Sequence, residues 1–279
     1  YAMIDYFTSD NQSTNANGNY ILGFIVTGKA GQRVDCFCDG AFTTMESYGI
    51  AGWDAGSTNG TISDMACAQN IVVVGSYNTR DEWASLDGKL YSYQGAFQAG
   101  KMSPFTSYGT LIDGRNLPHV CAPGATIISS SNQYYIDAYA SQYGDIKDYI
   151  QAEYIEEGHK NYWHQSIGTS MATPVVAGGI ALWLEADPTL TVDEVKDIIS
   201  KTSVVDADVT GSGDPIQWGA GKFDAYAGLK EVIRRQSGIS DVLVDDNRLM
   251  IKSIGENVYE VFLGGAEKID AVLYNISGQ

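Results

Sequence analysis

Residues 170–185 carry a single charged side chain, Glu185, at their far end, and are otherwise small or apolar nearly all round a helical wheel. A helix of that kind is stable only when enclosed, so other elements of the fold must be layered around it. Gly178 and Gly179 lower helix propensity and predict a neighbouring element packed very close. Pro174 falls near the helix start, where its missing N–H is best tolerated. Upstream lie two short apolar runs, residues 71–75 and 119–122, the second ending at Pro123-Gly124. Such runs suit strands covered on both faces of a parallel sheet. Residues 125–129 continue extended. Downstream, Thr191 and Glu194 have the spacing of a capping box, and Val192, Val195, Ile198 and Ile199 form the apolar face of the helix that follows. A further helix is predicted from Asp224 to about residue 235, with Leu229, Val232 and Ile233 inward. Buried strands with enclosing helices make this stretch α/β.

The flanks read differently. Residues 1–60 alternate as half-buried strands do, over 1–7, 20–27 and 33–38, with a polar loop at 11–19. They predict a β-sandwich-like module. After Gly238 short strands return over 242–244, 248–252, 258–262 and 269–274, which predicts a small β-module, accessory or sorting. The expected organisation is therefore 1–60, 61–237 and 238–279. Residues 133–158 are rich in Tyr and carboxylates. Helical spacing in 136–157 puts Tyr139, Tyr143, Ile146 and Ile150 on one face, as core packing.

Composition excludes some partners. With a formal net charge of -17 over 279 residues, the chain repels nucleic acid and anionic membrane surfaces. Abundant Tyr and Gly with few Lys suit a protein secreted or held at the cell surface. No run reaches the roughly 18 apolar residues that a membrane span needs. The four cysteines, Cys36, Cys38, Cys67 and Cys121, show no metal-ligand spacing and read as small buried apolar groups. The first residues look like the middle of a strand, as expected of a trimmed or processed fragment.

The chemistry concentrates in Gly168-Thr169-Ser170-Met171-Ala172-Thr173-Pro174. A serine at a helix start meets free N–H groups and partial positive charge, which stabilise an oxyanion during acyl transfer. Small neighbours let a substrate backbone approach. On spacing alone Ser170 reads as a plain N-cap, as most serines before helices do.

This heptad resembles the serine signature of the subtilisin-like peptidases (subtilases). Phe105-Thr106-Ser107-Tyr108-Gly109, Asp113-Gly114-Arg115 and Ala122-Pro123-Gly124 resemble the family's stretch upstream of its nucleophile. Residues 71–75 resemble the strand before that, and Trp218-Gly219-Ala220-Gly221-Lys222 the closing Gly-x-Gly turn. The resemblance covers roughly residues 60–235. It implies the C-terminal part of a subtilisin-like parallel-sheet domain, with residues 1–60 as a β-sandwich-like insertion. It also implies a serine endopeptidase of protein or peptide substrates, bacterial and secreted or surface-held. In this reading Ser170 is the nucleophile and an oxyanion donor through its N–H, supported by Gly168, Thr169, Met171, Ala172 and Pro174.

The family's triad runs Asp, His, Ser along the chain. Of the three histidines, His119, His159 and His164, none sits in the family's His-Gly-Thr context. His119 reads as framework, and a makeshift dyad of Ser170 with His164, six residues before it, is the minor reading, set below an upstream base. The Asp, the His and the oxyanion Asn are thus expected upstream of Tyr1, leaving this chain alone inactive. The alternative is a subtilase-like scaffold that binds without catalysis. No cofactor is called for. Calcium is common in the family, but no ligand cluster here asks for it.

Overall fold

The computed structural model describes residues 26–32, 34–36, 47, 51–52, 55–143 and 146–236, and the backbone of 249–255 and 258–263. The chain divides into two compact units, Tyr1–Gly56 and Ser57–Gln279. In the first, the described residues hold a turn in which Gln32 N–H donates to Lys29 O at 3.2 Å. The strands predicted over 1–7, 20–27 and 33–38 lie outside the described residues, apart from 26–27 and 34–36, which are not in strands.

The second unit is built on a parallel pair. β1 (Val74–Asn78) lies beside β6 (Val120–Ala125), with Val74 opposite Val120 and Ser76 opposite Ala122. Pairing starts later than the apolar run at 71–75 suggests. Ahead of it, Val73 O accepts from His119 N–H at 2.8 Å and Val73 N–H donates to His119 Nδ1 at 2.9 Å. β6 does not stop at Pro123-Gly124 as predicted but runs through them to Ala125, with a register shift in β1 between Tyr77 and Asn78. Proline is tolerated in a strand at such irregularities. Between β1 and β6 lie two antiparallel hairpins. β2 (Glu82–Ala84) pairs β3 (Leu90–Ser92), and β4 (Gly109–Thr110) pairs β5 (Asn116–Leu117).

After β6, β7 (Ile127–Asn132) leads into α1 (Gln133–Tyr143), β8 (Ile150–Glu156) and β9 (His159–Ser166). These form a three-stranded antiparallel sheet in the order β7-β9-β8. The helix predicted through residue 157 therefore ends at Tyr143, and Ile150 opens a strand. Ile146 and Ile150 are nevertheless buried, with Ile136 and Tyr162, while Tyr139 is exposed. Spacing matched a stripe shared between α1, the connection after it and β8.

α2 (Thr169–Ala186), α3 (Val192–Thr202), the short α4 (Ala207–Thr210) and α5 (Ala225–Gln236) follow. The core joins β6 to three of these helices through Val120, Ala122, Ala172, Val176, Trp183, Ile198, Ile199 and Val232. Trp183 is wholly buried and its indole N–H donates to Ala225 O at 2.8 Å. The predicted capping box is present: Glu194 N–H donates to Thr191 Oγ1, and Thr191 N–H to Glu194 Oε2. Val192 and Ile233, expected inward, are exposed. Close packing at the paired glycines holds for one of them. A Cβ on Gly179 would lie 2.5 Å from the Phe223 ring, whereas one on Gly178 would meet nothing within 4 Å. Nor is α2 enclosed all round: Val175, Leu182 and Leu184 are exposed.

In the tail, β10 (Leu249–Gly255) pairs antiparallel with β11 (Val258–Leu263). The strands predicted over 242–244 and 269–274 lie outside the described residues.

Candidate active site

Gly168 caps α2 with φ +142°, a conformation that favours glycine. Its N–H donates to Gly124 O at 2.8 Å, and its carbonyl accepts from Met171 N–H at 3.0 Å. The loop that presents Ser170 is thus pinned to the end of β6. Gly124 allows this contact. A Cβ there would lie 2.7 Å from Gly168 O and would collide with Ser76 Oγ. Ala122-Pro123-Gly124 and Gly168-Thr169-Ser170, far apart in sequence, form one junction.

A buried polar shelf lies under that junction. Ser76 Oγ and Ser103 Oγ are 2.7 Å apart, and Ser103 Oγ donates to Asn78 Oδ1 at 2.6 Å. Thr106 Oγ1 accepts from Ser76 N–H at 3.0 Å and donates to Ser76 O at 2.8 Å. All four side chains are buried. Buried polar groups that satisfy one another hold a single geometry, because any displacement leaves donors unpaired. Reading the sequence missed Ser76, Asn78 and Ser103. Thr106 stood within a resembling stretch, but hydroxyls scattered over a strand and a loop carry no periodic signal of a shared network.

Ser170 itself is exposed, at the second position of α2. Its hydroxyl makes no hydrogen bond among the described residues. The N–H groups of Thr169 and Ser170 lie in the first helical turn, where no intrahelical carbonyl reaches them. They face outward with the positive end of the helix. Thr173 Oγ1 turns back to Thr169 O at 2.9 Å. Pro174 sits inside the helix rather than at its start. Without an N–H it cannot bond the carbonyl four residues back, which is that of Ser170. Of the supporting residues, Ala172 is buried in the core and Met171 half-buried. The site can therefore offer a nucleophile and a backbone donor side by side.

It does not bring a base to Ser170. His119 is a framework residue, as expected: its Nδ1 accepts from Val73 N–H. Burial, then Lys196 and Arg115, hold its pKa down at about 4, so the ring is neutral. His164 lies in β9 opposite Ile150 and Ser129, its ring 5.9 Å from that of Tyr135. Burial lowers its pKa as well, and no hydrogen bond joins it to Ser170. His159 is exposed at the start of β9, near Tyr134.

Cys121 is buried and its thiol is pushed up to about 12 by burial, which leaves it inert as a nucleophile. Cys67 is half-buried and Cys36 exposed, so the expectation of burial fits Cys121 alone; Cys38 lies outside the described residues. Among the described residues no group of three or more His, Cys, Asp or Glu could hold a metal ion. No helix of the described residues is long and apolar enough to cross a membrane.

A family model described as "Subtilase family" matches residues 17–229, a span that begins within the stretch expected to be an insertion. The chain is 30% identical over 179 residues to serine protease AprX of Bacillus subtilis (strain 168), covering 63% of this chain and 33% of that protein. It is 29% identical over 183 residues to bacillopeptidase F of the same organism, covering 61% of this chain and 12% of that protein. It thus spans a third or less of the length of either. Among solved structures it is similar to the CspB protease of Clostridium perfringens, with 22% identity and a TM-score of 0.41, covering 64% of this chain and 30% of that one.

Proposed function

Because the chain belongs to the subtilase family, we propose that it carries the nucleophile portion of a serine endopeptidase site, with Ser170 attacking the peptide bond. The observation that carries this reading is the exposed Ser170 at the open N-terminus of α2, pinned through Gly168 to Gly124. An N-cap serine would spend its hydroxyl on a helix N–H. Gly168 is the cap instead, and the Ser170 hydroxyl is left for chemistry.

In the reaction, Ser170 Oγ adds to the carbonyl carbon while a histidine takes its proton and an aspartate orients that histidine. The Ser170 N–H and an asparagine amide donate to the oxyanion, each worth about 3 kcal/mol of barrier. The histidine then protonates the leaving amine, and water hydrolyses the acyl-enzyme. All three histidines of this chain stand elsewhere, so we assign the His, Asp and Asn to sequence upstream of Tyr1 in a longer protein. The outer side of α2 supports this. Ser170, Thr173, Pro174, Ala177, Gly178, Ala181 and Leu182 are all exposed on it, and none is charged. A small-residue apolar helix face suits close packing against a further layer. We place the protein at or outside the surface of a bacterial cell, acting on polypeptides.

The test is turnover of an extended peptide by the longer protein and by this chain. The longer protein is expected to hydrolyse it, Ser170→Ala to lower kcat by about a millionfold, and this chain to be inert. Activity of this chain that disappears in Ser170→Ala would reject the upstream assignment and revive His164 as base. No activity in the longer protein would favour the non-catalytic scaffold.

A further inference from the structure

The excursion between β6 and α2 carries a surface that the chemistry of Ser170 does not use. Residues paired across strands project to the same side of a sheet, as do residues two apart along a strand. Trp163 pairs with both Ala152 and Ser130, and Asn161 with both Tyr154 and Asn132. Trp163 and Tyr154 therefore stand on one face, as diagonal neighbours. The opposite face presents Tyr162 and Ile150, which are buried together with Ile136 of α1 and Ile146. The first face is open: Trp163 is 44% exposed and Tyr154 41%.

Continuity and charge together say what covers it. Gln165 follows Trp163 on the same face, is almost fully buried, and donates Nε2 to Tyr93 Oη at 2.8 Å. β9 then ends at Ser166, and the chain passes through Gly168 to Ser170. Trp163 precedes Ser170 by seven residues, so the two lie within about 25 Å of each other even along a fully extended chain. A polypeptide laid across Ser170 reaches the face with about seven further residues. As for charge, residues 133–166 contain six carboxylates against two lysines, and of the strand carboxylates Glu156 lies on this face, whereas Glu153 lies on the other, paired with Lys160. Glu156, two residues beyond Tyr154 on the same face, is in no ion pair among the described residues. Aromatic rings in acidic surroundings attract lysine and arginine side chains through both ring and field.

We propose that this face is an exosite for cationic stretches of the polypeptide substrate, whose Lys and Arg side chains seat on Trp163 and Tyr154 beside Glu156. The assignment rests on the peptidase reading of Ser170. It makes these residues determinants of specificity for long substrates, with no part in bond cleavage, and short peptides do not reach them.

Binding without turnover tests it directly. The chain carrying Ser170→Ala is titrated, by anisotropy, with a labelled Lys-rich peptide of about twelve residues. Binding that weakens with salt is expected, as is a loss of about tenfold when Trp163→Ala and Tyr154→Ala are combined. Trp163→Tyr should restore most of the affinity, which separates the ring from the fold. A Glu-rich peptide of equal length should not bind. Equal affinity in the alanine variants overturns the exosite, and so does binding of an uncharged soluble glycan in place of the peptide. In the longer protein the same variants should raise KM for long Lys-rich substrates alone. An unchanged KM there rejects the exosite while leaving the role of Ser170 intact. Peptide binding without any turnover by the longer protein rejects the peptidase reading and leaves the binding face standing.

Discussion

Gly124 makes no contact with substrate in this reading, yet its missing side chain is what lets the end of β6 touch the loop that presents Ser170. In Gly124→Ala the new methyl group would strike Ser76 Oγ and crowd Gly168 O. Ser76 is locked to Ser103 and Thr106, so the loop must give way. The longer protein with Gly124→Ala is expected to lose about a hundredfold in kcat, since a displacement of about 1 Å at a reacting group has that effect. Circular dichroism on the same samples would show whether the fold survives. A second residue-scale expectation concerns His119. Its pKa is lowered from 6.5 to about 4 by burial, and only the neutral ring accepts from Val73 N–H. A depressed folded-state pKa means that the stability linked to this group is complete above pH 6.5. It falls as pH drops through about 4. Urea midpoints should therefore decline over that window, and His119→Gln, which keeps an acceptor but does not titrate, should flatten the decline. Ser170 was legible at this scale because its heptad is specific. The shelf beneath it was not, because Ser76, Asn78 and Ser103 meet only once β1 is paired and the following loop folds back.

The paired glycines of α2 separate at the level of the element. Gly178 is exposed with open space at its Cβ position, so Gly178→Ala in this chain is expected to stabilise by about 1 kcal/mol through helix propensity. A Cβ on Gly179 would lie 2.5 Å from the Phe223 ring, and Gly179→Ala is expected to destabilise by about 1–3 kcal/mol through overpacking. Thermal unfolding of the two variants side by side checks the opposite signs. The sequence contains both glycines without distinguishing them, since only the position of Phe223 decides which is crowded. Elements were legible where one period ran unbroken: α2, α3 with its capping box, and α5. They were misread where a stripe was shared, as at Ile136, Ile146 and Ile150, which come from a helix, a connection and a strand that converge on Tyr162. Helical spacing across such a stretch is produced by packing between elements, not by one helix.

Over the whole molecule, the parallel pair β1–β6, the helices around Trp183 and the pinned serine loop are the parts of a subtilase that this chain holds. Its family was legible because matching motifs fall in order along 60–235. The proposed upstream completion of the site was legible only as an omission, the lack of any histidine in the context of a base. The structure adds that none of His119, His159 and His164 is hydrogen-bonded to Ser170, and that the uncharged side of α2 carrying Ser170 is exposed. The central claim is that Ser170 becomes reactive when the upstream sequence supplies a base. The most direct measurement is labelling with a serine-directed fluorophosphonate, applied to this chain and to the longer protein and located by mass spectrometry. Labelling at Ser170 in the longer protein, with none in this chain, is the result the account requires. Labelling of Ser170 in the isolated chain, or in neither protein, would contradict it.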